Sequence, residues 1–118
     1  HSIKQQFDSF CDGIVQSNLN LLSLNNNELD VNFLSSINKI LKYSKIKFLD
    51  LSWNNFSEDC LDAFYENLKY NTNITSLNLV GNKFKNSQKI DKINEVLNRN
   101  RLAESRVTVT GVKNEVGK

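Results

Sequence analysis

The chain has no methionine, a single histidine and only two cysteines among its 118 residues, and each scarcity removes a class of chemistry. The histidine is His1, which with Ser2 resembles the remnant of a junction. The chain is therefore expected to be a trimmed piece, and its body lacks the commonest general base. Neither Cys11 nor Cys60 has a histidine partner that could activate it as a nucleophile, and no cluster with metal-ligand spacing occurs. The two cysteines are far apart in sequence, unlike those of small secreted disulfide scaffolds, which points to a reduced, intracellular setting. Both lie on apolar helical faces, the pattern of small buried thiols. Long apolar runs are missing, so no bilayer-spanning segment is expected, and no charged-then-apolar secretion signal follows Ser2. An excess of one charge is missing too. A net charge of +2 with 24% charged and 39% hydrophobic residues describes an ordinary globular chain and singles out no nucleic-acid or acidic partner. Walker loops, GxSxG, HExxH, CxxC pairs and dinucleotide glycine motifs do not occur. The expectation is a chain that is not an enzyme and uses no cofactor, metal, nucleic acid or membrane.

What the chain does have is a repeat. Leu19, Leu22, Leu24, Asn27 and Leu29 have the spacing LxxLxLxxNxL. Ile46, Leu49, Leu51, Asn54 and Phe56 repeat it, and so do Ile74, Leu77, Leu79, Asn82 and Phe84. Corresponding positions are 27 and 28 residues apart, and five matched positions in each of three units do not arise by chance. Within each unit the Leu-x-Leu alternation predicts a short strand with one buried face. Asn27, Asn54 and Asn82 then fall at a turn, where a side-chain amide can satisfy backbone groups that the bend leaves unpaired. The second half of each unit has helical spacing: Phe33, Ile37 and Leu41; Cys60, Phe64 and Leu68; Ile90, Ile93 and Leu97. Ser57 before Glu58 and Asp59 suits the N-cap of the second of these helices.

The ends divide off from this pattern. Residues 1–18 are expected to form an N-terminal capping helix with Ile3, Phe7, Phe10, Cys11 and Ile14 on or near one face, and residues 19–101 the three repeats. In residues 102–118, Val107-Thr108-Val109-Thr110 alternates like a capping strand beside the third repeat strand, followed by a frayed polar tail. Two glycosylation triplets, Asn55-Phe56-Ser57 and Asn73-Ile74-Thr75, are coincidences of a chain rich in Asn, Ser and Thr. The excess of Asn, Lys and Ile suggests an AT-rich genome.

These units resemble leucine-rich repeats of the ribonuclease-inhibitor type. That subtype includes tropomodulin-like, NOD-like-receptor and Ran-GTPase-activating proteins, and repeats in bacterial proteins delivered into host cells. The resemblance covers residues 19 to about 101. It implies an α/β fold: a short leucine-rich repeat solenoid with a parallel β-sheet on its concave side and α-helices on its convex side. The chain departs from the consensus where glycine usually joins strand-turn to helix; here stand Phe33, Cys60 and Gln88.

The resemblance also implies that the outward strand residues form a partner-binding concave face. Strand alternation sends Leu49 and Leu51 inward and leaves Phe48 and Trp53 on the outward set. The candidate site residues are Leu21, Ser23, Asn25, Phe48, Asp50, Trp53, Ser76 and Asn78, aromatic and aliphatic anchors among polar neighbours. Trp53 either anchors a partner or folds over Gly81 and packs laterally. Asp50 has no second carboxylate beside it and reads as a rim charge. On the helical side Glu58, Asp59, Asp62 and Glu66 face a basic C-terminal third, which suits complementary neighbouring helices. The expected function is that of a non-catalytic protein–protein interaction module, monomeric apart from its partner, that inhibits or regulates another protein. If the gene is bacterial, it would be an effector acting inside a host cell. The alternatives are tropomodulin-like binding of actin and regulation of a small GTPase.

Overall fold

The computed structural model describes the backbone of residues 2–85 and 87–116 and the side chains of 2–85 and 88–105. Three short parallel strands form where the leucine alternation places them: β1 (Leu21–Ser23), β2 (Phe48–Asp50) and β3 (Ser76–Asn78), in the order β1-β2-β3. The register aligns equivalent positions of the three units, Leu22 with Leu49 with Leu77 and Ser23 with Asp50 with Asn78. Alternation along β2 and the residues after it buries Leu49 and Leu51, at 2% and 0% exposure.

Four helices complete the described chain: α1 (Ile3–Gln16), α2 (Leu34–Tyr43), α3 (Asp59–Leu68) and α4 (Ser87–Val116). They pack in chain order, α1 on α2, α2 on α3 and α3 on α4. Between helices and sheet lies one core that includes Ile37, Leu41, Phe56, Phe64, Leu68 and Ile93. Burying each such side chain contributes roughly 1.5–3 kcal/mol, so every turn depends on the neighbour that covers it. The helix α1 starts with a reciprocal capping box: the Gln5 N–H donates to Ser2 Oγ at 3.1 Å and the Ser2 N–H to Gln5 Oε1 at 3.2 Å. It buries Cys11 and sets Phe7 edge-on to Phe33, with ring centroids 5.5 Å apart. A 3₁₀ turn, Val31–Phe33, leads into α2, and Asp30 starts that turn by accepting the Asn32 N–H at 2.9 Å.

Three expectations need correction. No solenoid is evident; the chain builds an α/β fold with a small three-stranded parallel sheet and four helices among the described residues. Ser57 does not N-cap α3, which begins at Asp59. The Ser57 backbone forms an isolated parallel bridge with Lys83, and its hydroxyl faces Cys60 Sγ at 3.8 Å. Residues 107–110 are helical, because α4 runs on through them to Val116. Nothing interrupts that helix early: the chain has no proline, and Gly111 is the first glycine after Gly81. The last two residues of the expected tail, 117 and 118, lie outside the described residues.

Candidate binding face

The turn asparagines hold the strands' outer face in place. Asn54 accepts the N–H groups of Asn27 and Leu29 at 2.9 and 3.0 Å on Oδ1. Its amide donates to the carbonyls of Leu24 and Leu51, both at 3.0 Å. Asn82 repeats the pattern one turn on, accepting the Phe56 N–H at 3.0 Å and donating to Leu51 and Leu79. Each amide therefore closes its own turn and the preceding one, which is how buried polar backbone is satisfied without a continuous sheet. Among the described residues, Asn27 donates to the Asn25 carbonyl alone, at 3.1 Å.

A second ladder, which the repeat motif did not single out, runs from the residues after α3 to the middle of α4. Asn71 donates to the Leu41 carbonyl at 2.6 Å and accepts the N–H groups of Asn73 and Ile74. Asn100, at the matching place in α4, donates to the carbonyls of Asn71 and Ile74, both at 2.8 Å. The signal was available in the spacing of Asn71 and Asn100, close to the repeat period.

One residue before each turn asparagine, the backbone is left-handed: Asn26 at φ 58°, Trp53 at φ 56° and Gly81 at φ 80°. Asparagine and glycine tolerate that region, whereas a bulky side chain does so at a cost of roughly 1–2 kcal/mol. Trp53 is 63% exposed, and its ring lies directly across Gly81, where a Cβ would collide with the indole. The lateral packing and the exposure anticipated as alternatives thus coexist: one ring face rests on the next turn and the other meets solvent.

Six of the eight candidate residues converge. Leu21, Ser23, Phe48, Asp50, Ser76 and Asn78 line a shallow depression of about 260 Å³ over the centre of the sheet, floored by Leu22 and Leu49. Asn25 and Trp53 fall beyond it, in the turns that follow the strands. Leu21 and Phe48 are 63% and 48% exposed. The polar members are partly committed: Ser23 donates to Asn25 Oδ1 at 2.7 Å, Asp50 accepts the Ser52 N–H at 2.9 Å, and Asn78 accepts the Val80 N–H at 3.1 Å. At the outer edge of β3, Leu77, Leu79, Val80, Ile90 and Ile93 help to line a second depression of about 290 Å³. Sequence reasoning missed it because a capping strand was expected there.

The charged helical side is matched in part, with an ion pair joining α3 to α4 among the described residues. Lys89 meets Asp62 at 3.1 Å, the Lys85 N–H meets Glu58 at 2.7 Å, and Lys47 meets Glu104 at 3.6 Å. Arg99 donates to the carbonyls of Lys69 and Asn71, both at 2.7 Å, closing the C-terminal end of α3. Burial pushes the Cys11 thiol up to about 12, aided by the nearby Asp8 carboxylate, so it is held as an unreactive neutral group. Among the described residues no group of three His, Cys, Asp or Glu could hold a metal, and no helix is long and apolar enough to cross a membrane.

No family model matches the chain, and no curated protein matches it. Solved structures do. One, leiomodin-1 actin-binding site 2, is similar over 97% of this chain and 83% of its own, with a TM-score of 0.72 and 17% identity. Another, the tropomodulin C-terminal domain from Caenorhabditis elegans, covers 93% of this chain and 83% of its own, with a TM-score of 0.61 and 12% identity. The likeness is one of fold. It overturns the assignment to ribonuclease-inhibitor-type leucine-rich repeats and, with it, the bacterial host-directed effector. The spacing LxxLxLxxNxL reports a buried strand and an amide-closed turn, as Asn54 and Asn82 demonstrate; that is a local solution to backbone hydrogen bonding and does not carry family membership.

Proposed function

We propose that this chain is a non-catalytic, cytoskeletal protein-binding domain whose partner is actin, acting inside the cell where actin is found. One observation carries the reading: nearly the whole chain, 97% of it, follows the fold of a leiomodin-1 actin-binding site at a TM-score of 0.72. The tropomodulin C-terminal domain supports it at lower similarity. The docking face is the outer side of the sheet and its turns, with Leu21, Phe48 and Trp53 as apolar anchors and Ser23, Asn25, Asp50, Ser76 and Asn78 as polar neighbours that orient the partner. A small exposed aromatic cluster ringed by polar groups is where binding energy concentrates in protein interfaces.

Co-sedimentation with actin filaments and pointed-end elongation rates test this directly. The wild-type chain is expected to pellet with filaments or slow elongation. The double variant Phe48→Ala, Trp53→Ala should bind about thirtyfold more weakly, ~2 kcal/mol, and remain folded, with a urea midpoint lowered only by the loss of the indole's contact with Gly81. A wild-type chain that neither pellets nor alters elongation rules actin out. Wild-type binding that the double variant retains moves the docking face elsewhere.

A further inference from the structure

The depression over the sheet is chemically one-sided. The register places Leu21, Phe48 and Ser76 in one cross-strand row and Ser23, Asp50 and Asn78 in the next outward row, about 6–7 Å further along the strands. The first row supplies hydrocarbon from Leu21 and Phe48, the latter half exposed at the row's centre, with the Ser76 hydroxyl at its end. The second row is polar, with the Asp50 carboxylate at its centre between the Ser23 hydroxyl and the Asn78 amide. Among the described residues, Asp50 is the only charged one in the lining.

That carboxylate is incompletely used. One oxygen accepts the Ser52 N–H, and among the described residues Asp50 forms no ion pair, whereas Asp8, Asp12, Asp62, Glu66 and Glu104 each meet a lysine. The lysine that leads into the same strand, Lys47, is turned to Glu104 at 3.6 Å. The Ser23 hydroxyl donates its hydrogen bond to Asn25 Oδ1, which leaves its oxygen lone pairs able only to accept. An apolar wall ending at an unmatched carboxylate and a second acceptor complements a side chain with a long hydrocarbon stem and a cationic head.

From this geometry we infer that the depression receives a lysine or arginine side chain presented by the protein partner, its stem against Phe48 and Leu21 and its charged head on Asp50 with Ser23 beside it. The inference rests on the sheet face being the docking face, as proposed above, and not on the partner being actin.

The test uses the full chain and two neutral-ended peptides, acetyl-Ala-Lys-Ala-amide and its uncharged analogue with norleucine in place of lysine. Amide chemical shifts are followed by NMR, with the variant Asp50→Asn in parallel. That substitution preserves the fold, because Asn78 occupies the same position in β3 and makes the equivalent bond to the N–H two residues on. The lysine peptide is expected to give saturable shifts at Leu21, Phe48, Asp50 and Asn78. Both norleucine and Asp50→Asn should weaken binding about tenfold, and 0.5 M salt should weaken the lysine peptide alone, as for an exposed charge pair. Equal binding of the two peptides, or an Asp50→Asn variant that binds lysine undiminished, overturns the inference, and so does an absence of saturable shifts. Saturable lysine binding by a chain that ignores actin would uphold this site and remove the actin reading. Actin capture with a lysine-blind depression would do the reverse.

Discussion

At the residue scale, the same motif letter stands for three different amounts of stabilisation. Asn54 holds two backbone N–H groups and three carbonyls, Asn82 holds one N–H and two carbonyls, and Asn27 holds one carbonyl. Removing a side chain that satisfies a buried donor leaves that donor with its full desolvation cost, about 1–3 kcal/mol each. Urea unfolding should therefore rank alanine substitutions Asn54 above Asn82 above Asn27, with Asn54→Ala near ~3 kcal/mol and Asn27→Ala under ~1 kcal/mol. Equal losses at the three positions would contradict the ladder. The left-handed row gives a second expectation. Gly81→Ala collides with Trp53 and also strains a φ of 80°, so its cost should shrink by about 1 kcal/mol in a Trp53→Gly background, where only the backbone strain remains. A double-mutant cycle that shows no coupling would mean that the indole does not rest there in solution. The candidate face was legible because strand alternation alone assigns Phe48 and Asp50 to one side. The left-handed backbone of Trp53 was not, since φ is set by the turn and tryptophan gives no sign of it.

At the scale of elements, the strands and the buried faces of α2 and α3 follow from periodicity, because Ile37, Leu41, Cys60, Phe64 and Leu68 must all face one core. The course of α4 was hidden. Four alternating residues, Val107 to Thr110, are too short a signal to outweigh a helix already running without a breaker. A helix capping the first repeat was expected, but the charged contacts that latch α1 to α2 were hidden: Lys39 meets Asp8 at 2.9 Å and Asp12 at 3.0 Å, and Ser36 donates to Asp8 at 2.7 Å. The Lys39 bond, then the Ser36 bond, hold the Asp8 carboxyl below its ordinary 3.8. A depressed carboxylate stabilises the folded state above 3.8, and that contribution is lost as pH falls through the lowered value. Lys39 is raised above 10.5 by Asp8 first and Asp12 second, so its contribution is present below 10.5 and fades as pH rises through the raised value. Amide exchange in α1, taken relative to α3, should accordingly accelerate as pH falls below 4, and Asp8→Asn should remove that pH dependence. Parallel pH profiles for the two helices in the wild type would show that the pair does not latch α1.

At the scale of the molecule, the hydrogen bonds that close each turn decide how the whole chain unfolds. Asn54 belongs to the second unit and satisfies the backbone of the first; Asn82 belongs to the third and satisfies the second; Asn71, after α3, and Asn100, within α4, do the same on the helical side. No turn can therefore open alone without orphaning donors or acceptors in its neighbour, and a domain of this size has one core that no part can leave without exposing the rest. The single tryptophan is well placed to read this, because Trp53 spans the second and third turns through Gly81. Urea unfolding followed by Trp53 fluorescence and by far-ultraviolet circular dichroism should give one transition with coincident midpoints. Ile93→Ala, which opens a cavity between α4 and the sheet at a residue 1% exposed, should move both midpoints together by a loss of about 2–5 kcal/mol. A fluorescence midpoint that shifts while the circular dichroism midpoint stays would mean that the third turn and α4 come away as a separate unit, and that the asparagine ladders do not couple the stack.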